Sequence, residues 1–243
     1  LPSPNHRTAR TTPAVTEEAV SAAAKRNGIL SDLEPHPSIA LGALEVTPLE
    51  LVTAYAPFAN GGMRVQPRLV TRIEAPDGKV LWSQEIARAP AMDPRDAYEL
   101  TSMLRGVVDY GTGRVIREMG IEGAVAGKTG TTNNGADVWF IGYTPTLVAG
   151  VWFGYDQPTQ IASRAAGGRF AAPAWADFYK AGWTERRGLT WAPPDGMMSA
   201  VIDPETGELA TEWCPRRERD FFKPTRLPTT YCQLHQYHEP TII

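Results

Sequence analysis

Apolar positions along this chain follow two periods, and the two occupy different stretches. Between 126 and 155 the rhythm is that of strands. Ala126-Gly127-Lys128-Thr129-Gly130-Thr131 is followed by the turn signal Asn133-Asn134-Gly135, the run 136–143 is broken by Thr144-Pro145, and 146–155 closes the set. Three β-rich runs joined by turns this short predict an antiparallel meander. Elsewhere the rhythm is helical. Residues 16–27 predict a short helix with Thr16 as cap, Glu17 and Glu18 at its positive end and Gly28 as its stop. Thr47-Pro48-Leu49-Glu50 combines an N-cap, a first-position proline and a capping box. Leu51, Val52, Tyr55, Phe58 and Ala59 then give one apolar face up to Asn60-Gly61-Gly62, a face suited to core packing. Asp93-Pro94 opens another helix, with Ala97, Leu100, Leu104, Val107 and Val108 at helical spacing. Tyr110-Gly111-Thr112-Gly113 reads as a turn before a short helix at 114–119, because no Gly-x-x-x-x-Gly-Lys pattern follows. Residues 65–73 and 79–82 predict a hairpin across Pro76-Asp77-Gly78, with Pro67 confining the first strand to an edge or bulge. After a loop at 157–169, residues 172–181 predict a helix that packs through Trp175 and Phe178 and stops at Gly182.

From 189 onward the texture changes to short β-like runs broken by prolines, and 201–210 reads as a small hairpin. The expected fold is α/β in the α+β sense: an antiparallel sheet flanked by helices over 1–188, then a small β-rich appendage over 189–243. Composition agrees, since 42% hydrophobic and 21% charged residues are those of a globular chain with a real core. A formal net charge of −3 argues against a nucleic-acid partner. No apolar run within the sequence is long enough to span a bilayer, and no stretch of it reads as a signal peptide. The chain opens on Leu1, so it reads as a fragment whose export or anchoring segment lies upstream, and membrane contact is expected only through that segment. The two cysteines, Cys214 and Cys232, both fall in the appendage. An extracytoplasmic disulfide between them is expected, because a small β-appendage lacks a core of its own, and it would contribute about 3 kcal/mol. A metal site using Cys214, Cys232, His235 and His238 is the rival reading, but the cysteine separation fits no common zinc-finger pattern, so no metal is expected. Free thiols are the third possibility.

The candidate chemistry lies in Lys128-Thr129-Gly130-Thr131. A lysine, two hydroxyl residues and a glycine on one strand make an anion-facing wall, and Gly130 lets a ligand lie flat against the backbone as an added strand. The tripeptide alone is also what a lysine-protected edge strand would show. With its flanks, the stretch resembles the transpeptidase domain of penicillin-binding proteins, especially the class A, bifunctional ones. The resemblance runs from about Ser38 to Gly182. It includes Ala40-Leu41-Gly42-Ala43-Leu44-Glu45-Val46-Thr47-Pro48-Leu49-Glu50-Leu51, Phe58-Ala59-Asn60-Gly61-Gly62 and Gly142-Tyr143-Thr144-Pro145, and the tail resembles C-terminal extensions of some class A members.

The resemblance implies a serine β-lactamase/penicillin-binding transpeptidase-like fold, truncated at its N-terminus, and acyl transfer from D-Ala-D-Ala peptidoglycan stem peptides. β-Lactams are the implied inhibitors, the implied setting is the periplasm with anchoring to the inner membrane, and no cofactor is required. Lys128 would attract the substrate carboxylate and assist proton traffic. Thr129 and Thr131 would donate to that carboxylate, and the Thr131 N–H would form half of an oxyanion hole beside Gly130. Ser3-Pro4-Asn5 has the form of the family's Ser-x-Asn motif, with Ser3 and Asn5 relaying a proton and orienting the peptide. However, the flank His6-Arg7-Thr8 is not the apolar helix usual there, and a chance match in a frayed end is the other reading. The nucleophile motif Ser-x-x-Lys is absent: Ala22, Pro76, Val125, Asp177 and Asp220 precede Lys25, Lys79, Lys128, Lys180 and Lys223 by three residues. The serine is therefore expected upstream, in a part of the same chain that would be this segment's partner. A non-catalytic cell-wall interaction module, using Trp191, Trp213 and Tyr237 of the appendage, is the alternative.

Overall fold

The computed structural model describes residues 15–182 and 188–236. Helix α1 (Glu17–Asn27) begins where Thr16 accepts from the Ala19 N–H at 3.2 Å and ends at Gly28, whose φ of 115° only glycine adopts without strain. Helix α2 (Pro48–Ala54) has the expected capping box. The Glu50 carboxylate also accepts from the Leu30 and Ser31 N–H groups, each at 2.8 Å, and from the Ser31 hydroxyl at 2.7 Å, tying a loop to the helix start. Hydroxyl donors from Ser31 and Thr47 hold its carboxyl down at about 2. The single helix expected here is two, since α3 (Ala56–Ala59) follows a break at Tyr55, where Pro57 has no N–H to continue the ladder.

The run 65–73 likewise divides. Strand β1 (Met63–Val65) pairs with the distant β4 (Arg88–Pro90), while β2 (Arg72–Glu74) and β3 (Val80–Ser83) form an exposed ribbon around Asp77. Pro67, between β1 and β2, cannot donate to a ladder, so the chain changes partner there. Helix α4 (Pro94–Asp109), capped by Asp93 at 2.8 Å, and the short α5 (Val115–Glu118) lead to the central meander. That sheet is β5 (Ala126–Thr131), β6 (Val138–Thr144) and β7 (Leu147–Phe153), antiparallel and in chain order, with Lys128 opposite Ile141 and Gly130 opposite Trp139.

Helix α6 (Ala171–Gly182) closes one face of the sheet. Its packing pair is Trp175 with Tyr179, stacked at 5.3 Å; Phe178, expected to share that face, is 51% exposed. Trp175 meets Phe140 edge-on at 5.7 Å and donates its indole N–H to the Ala149 carbonyl at 3.1 Å. A Cβ on Gly142 would lie 2.5 Å from the Trp175 ring, so that strand position must be glycine for the helix to seat. Val108, Ile116, Ile121 and Val125 complete this core.

Beyond 188, strand β8 (Met198–Ile202) pairs with β9 (Glu218–Phe222), not with the segment just after it. Only Ile202 and Leu209 bridge within the expected local hairpin, because Leu209 next turns its backbone to Thr230 and Cys232. The extension packs on α4. Glu99, 6% exposed, accepts from the Lys223 N–H and from Arg226, both at 2.6 Å. Lys223 reaches Asp96 at 2.7 Å, and Ser102 donates to Asp220 at 2.7 Å. Trp191 donates to the Ala59 carbonyl at 2.9 Å and packs edge-on against Tyr143, so it is a docking residue rather than a free contact. Tyr237 lies outside the described residues. Cys214 and Cys232 are free, buried thiols in place of the expected disulfide. The Cys214 sulfur is held by the Thr211 backbone, and the Cys232 sulfur turns to the Asp203 carboxylate, which competes with sulfur-to-sulfur pairing.

Candidate active site

Strand β5 enters the core at Ala126 and Gly127 and emerges at Lys128. Gly127 must stay bare, since a Cβ there would meet the Phe140 ring at 2.6 Å and the Ile141 carbonyl at 2.8 Å. The strand is the outer member of its sheet, so along Lys128–Thr131 one backbone edge faces away from β6. Successive side chains alternate across it.

Thr129 and Thr131 share one face, where a cleft of about 720 Å³ opens. Its far walls are the 111–112 turn, α5 and the 166–169 loop. The Thr129 and Thr112 hydroxyls are 2.7 Å apart. The Gly167 N–H donates to the Thr131 hydroxyl at 3.1 Å, which leaves the Thr131 proton free to donate onward. Gly167 and Gly168 press against backbone: added Cβ atoms would lie 2.2 Å from the Trp139 and Thr112 carbonyl oxygens respectively.

Lys128 does not line this cleft. Its side chain leaves the other face of β5, and Nζ donates to the Thr129 carbonyl at 2.8 Å. Partial desolvation holds the ammonium below the ordinary lysine value, which makes it readier to release a proton than a free lysine. The strand thus has two chemically distinct sides, a cationic one and a hydroxyl-lined one, with its backbone edge between them.

Of the residues expected from sequence, Lys128, Thr129, Gly130 and Thr131 fall together on this edge, while Ser3 and Asn5 lie outside the described residues. Thr112 and Gly167 were not expected. Thr112 sits in a stretch that reads only as a turn, and the one local signal for Gly167 is the Gly167-Gly168 pair, a mark of close backbone approach.

Residues 19–180 match the penicillin binding protein transpeptidase domain family, and residues 193–237 match the C-terminal domain family of penicillin-binding protein 1A. Penicillin-binding protein 2D of Bacillus subtilis is 35% identical over 216 residues, covering 86% of this chain and 31% of the relative. Penicillin-binding protein 1A of Pseudomonas aeruginosa is 32% identical, covering 90% of this chain and 32% of the relative. The chain therefore spans about a third of the length of these curated relatives. Among solved structures, penicillin-binding protein 1A of Haemophilus influenzae superposes over 94% of this chain and 39% of its own, with a TM-score of 0.82 at 23% identity. PonA1 of Mycobacterium tuberculosis, solved with penicillin V, superposes over 77% of this chain and 56% of its own, with a TM-score of 0.64 at 25% identity. The chain belongs to the penicillin-binding protein transpeptidase family, and the 1A-type C-terminal domain that follows its catalytic-type sheet groups it with the class A members.

Proposed function

We propose that this chain supplies the Lys-Thr-Gly wall and C-terminal extension of a periplasmic D,D-transpeptidase, which cross-links peptidoglycan stem peptides and is acylated by β-lactams. The observation that carries this reading is the outer edge of β5, with Lys128 on one side and the Thr129 and Thr131 hydroxyls on the other. A stem peptide would add to that edge as a further strand, its main chain hydrogen-bonded along Gly130. The free Thr131 proton would donate to the terminal carboxylate from the cleft side, and Lys128, across the strand edge, would attract it through its charge. The Thr131 N–H would supply half of the oxyanion hole as a serine attacks the D-Ala-D-Ala amide. D-Ala leaves, and an amine of a second stem peptide resolves the acyl-enzyme. Acyl transfer of this kind runs on side-chain chemistry, without a cofactor. The attacking serine lies outside this chain, since none of its lysines follows a serine by three residues.

Two measurements test the proposal. The isolated chain, incubated with a fluorescent penicillin and run on a denaturing gel, should carry no covalent label; a labelled band would reveal a nucleophile within it. In an enzyme that joins this chain to its serine-bearing part, Lys128→Ala should slow acylation by about 10² to 10³. The melting midpoint should hardly move, because an exposed strand substitution changes stability by about 0.5 kcal/mol or less. Near-normal acylation with a much lower melting temperature would make Lys128 a structural residue and defeat the assignment.

A further inference from the structure

The extension beyond residue 188 has almost no apolar interior. Among the described residues of this segment, the buried hydrophobic side chains are Ile202, Cys214 and Cys232. At its centre four donor atoms converge, from Asp203, Cys214, Cys232 and His235, all within 4.8 Å of one another. Asp203 is 1% exposed and Cys232 likewise. A buried carboxylate calls for a cation, and among the described residues the ion-pair partner recorded for Asp203 is His235.

We propose that these four residues bind one zinc ion, which serves as the core of the extension. A tetrahedral ion with bonds of about 2.0 to 2.3 Å sets its donor atoms roughly 3.3 to 3.8 Å apart. The Cys232 sulfur and His235 Nδ1 are 3.7 Å apart, within that range. Asp203 Oδ2 lies 3.1 Å from the Cys232 sulfur and 2.5 Å from His235 Nδ1, both short of that range, so binding would open these two edges, the second by about 1 Å. The remaining partners leave one atom of each residue facing the centre. Asp203 Oδ1 is taken by the Glu205 N–H at 2.9 Å, which leaves Oδ2 as the ligand. His235 Nε2 faces the Glu205 carboxylate at 3.7 Å, the kind of outer partner that fixes a ligating imidazole.

The sulfurs are held in the same way. The Thr211 N–H donates to Cys214 at 3.3 Å and the His235 N–H donates to Cys232 at 3.4 Å, contacts that fix each sulfur toward the centre. The Thr211 hydroxyl, donating to the His235 carbonyl at 3.0 Å, joins the two cysteine turns. Two thiolates, a carboxylate and an imidazole form a closed set of the borderline-soft kind that suits zinc in a structural role. This set substitutes the buried Asp203 for His238, which lies outside the described residues.

The 243-residue chain, purified with reductant and zinc, should carry one zinc ion per molecule by native mass spectrometry and elemental analysis. Cobalt in place of zinc should give intense tetrahedral d–d bands and a thiolate-to-cobalt charge-transfer band. Cys232→Ser and Asp203→Asn should each weaken zinc binding at least tenfold. Glu205→Gln, which leaves all four donors in place, should weaken it about tenfold, and it covers the case in which the donor variants do not fold. A chelator should lower the melting temperature of the native chain. Sub-stoichiometric zinc, weak octahedral cobalt spectra, affinities unchanged by these variants, or a Cys214–Cys232 disulfide that persists under reductant and zinc would each overturn the proposal.

Discussion

Gly167 is the residue on which the hydroxyl side of β5 depends. Its N–H orders the Thr131 hydroxyl, and its bare Cα lets the loop reach the Trp139 and Gly130 backbone. Gly167→Ala would force two backbone segments apart and should cost about 1–3 kcal/mol, with weaker β-lactam acylation in the complete enzyme. Gly182→Ala, where an added Cβ meets nothing within 4 Å among the described residues, is the matched control for denaturant melts. Glu50 offers a second test at this scale. Its folded value, lowered to about 2 from 4.5, means that its stabilisation is fully present above about pH 4.5 and is lost as the pH falls toward 2. Glu50→Gln should therefore melt below the native chain at pH 7, with the two midpoints converging as the pH falls through about 2. Lys128, Thr129 and Thr131 were legible because they are contiguous and form a motif. Thr112 and Gly167 were not, because their contacts reach across 17 and 36 positions, which no local period records.

Among whole elements, the meander and the capped helices were legible because their ends are written in Asn-Gly turns, prolines and capping residues. Helix α6 was legible as a helix but not in its packing face. Trp175 has possible partners three and four positions on, and both Phe178 and Tyr179 are aromatic, so spacing alone could not choose. The sheet chose Tyr179. Trp175→Ala should cost about 3–5 kcal/mol, whereas Phe178→Ala should stay within about 0.5 kcal/mol, a contrast that thermal or urea melts would resolve. Equal losses would return Phe178 to the core. The partnership of β1 with β4 escaped the sequence for another reason: it skips over a complete ribbon, and three-residue strands carry no period.

For the molecule as a whole, the change of texture after 188 was visible, but the manner of docking was not, since Glu99 meets Arg226 from 127 positions away. Removing Glu99 should cost more than the roughly 1 kcal/mol of an exposed pair and less than the about 3–5 kcal/mol of a fully buried one, because Arg226 is half in solvent. In Glu99→Gln, limited proteolysis should cut the extension well before the sheet; simultaneous cleavage of both would mean that the two melt as one unit. Helix α4 has a different neighbour at each end. The extension grips its first three turns through Asp93, Asp96, Glu99 and Ser102, and its last turn leads through Tyr110 and Gly111 to Thr112, whose hydroxyl meets Thr129. At about 1.5 Å per residue, this 16-residue helix is a beam of roughly 24 Å, clamped at its base with its tip resting on the cleft wall. Loosening the clamp would alter how stiffly the tip is held without touching the cleft itself.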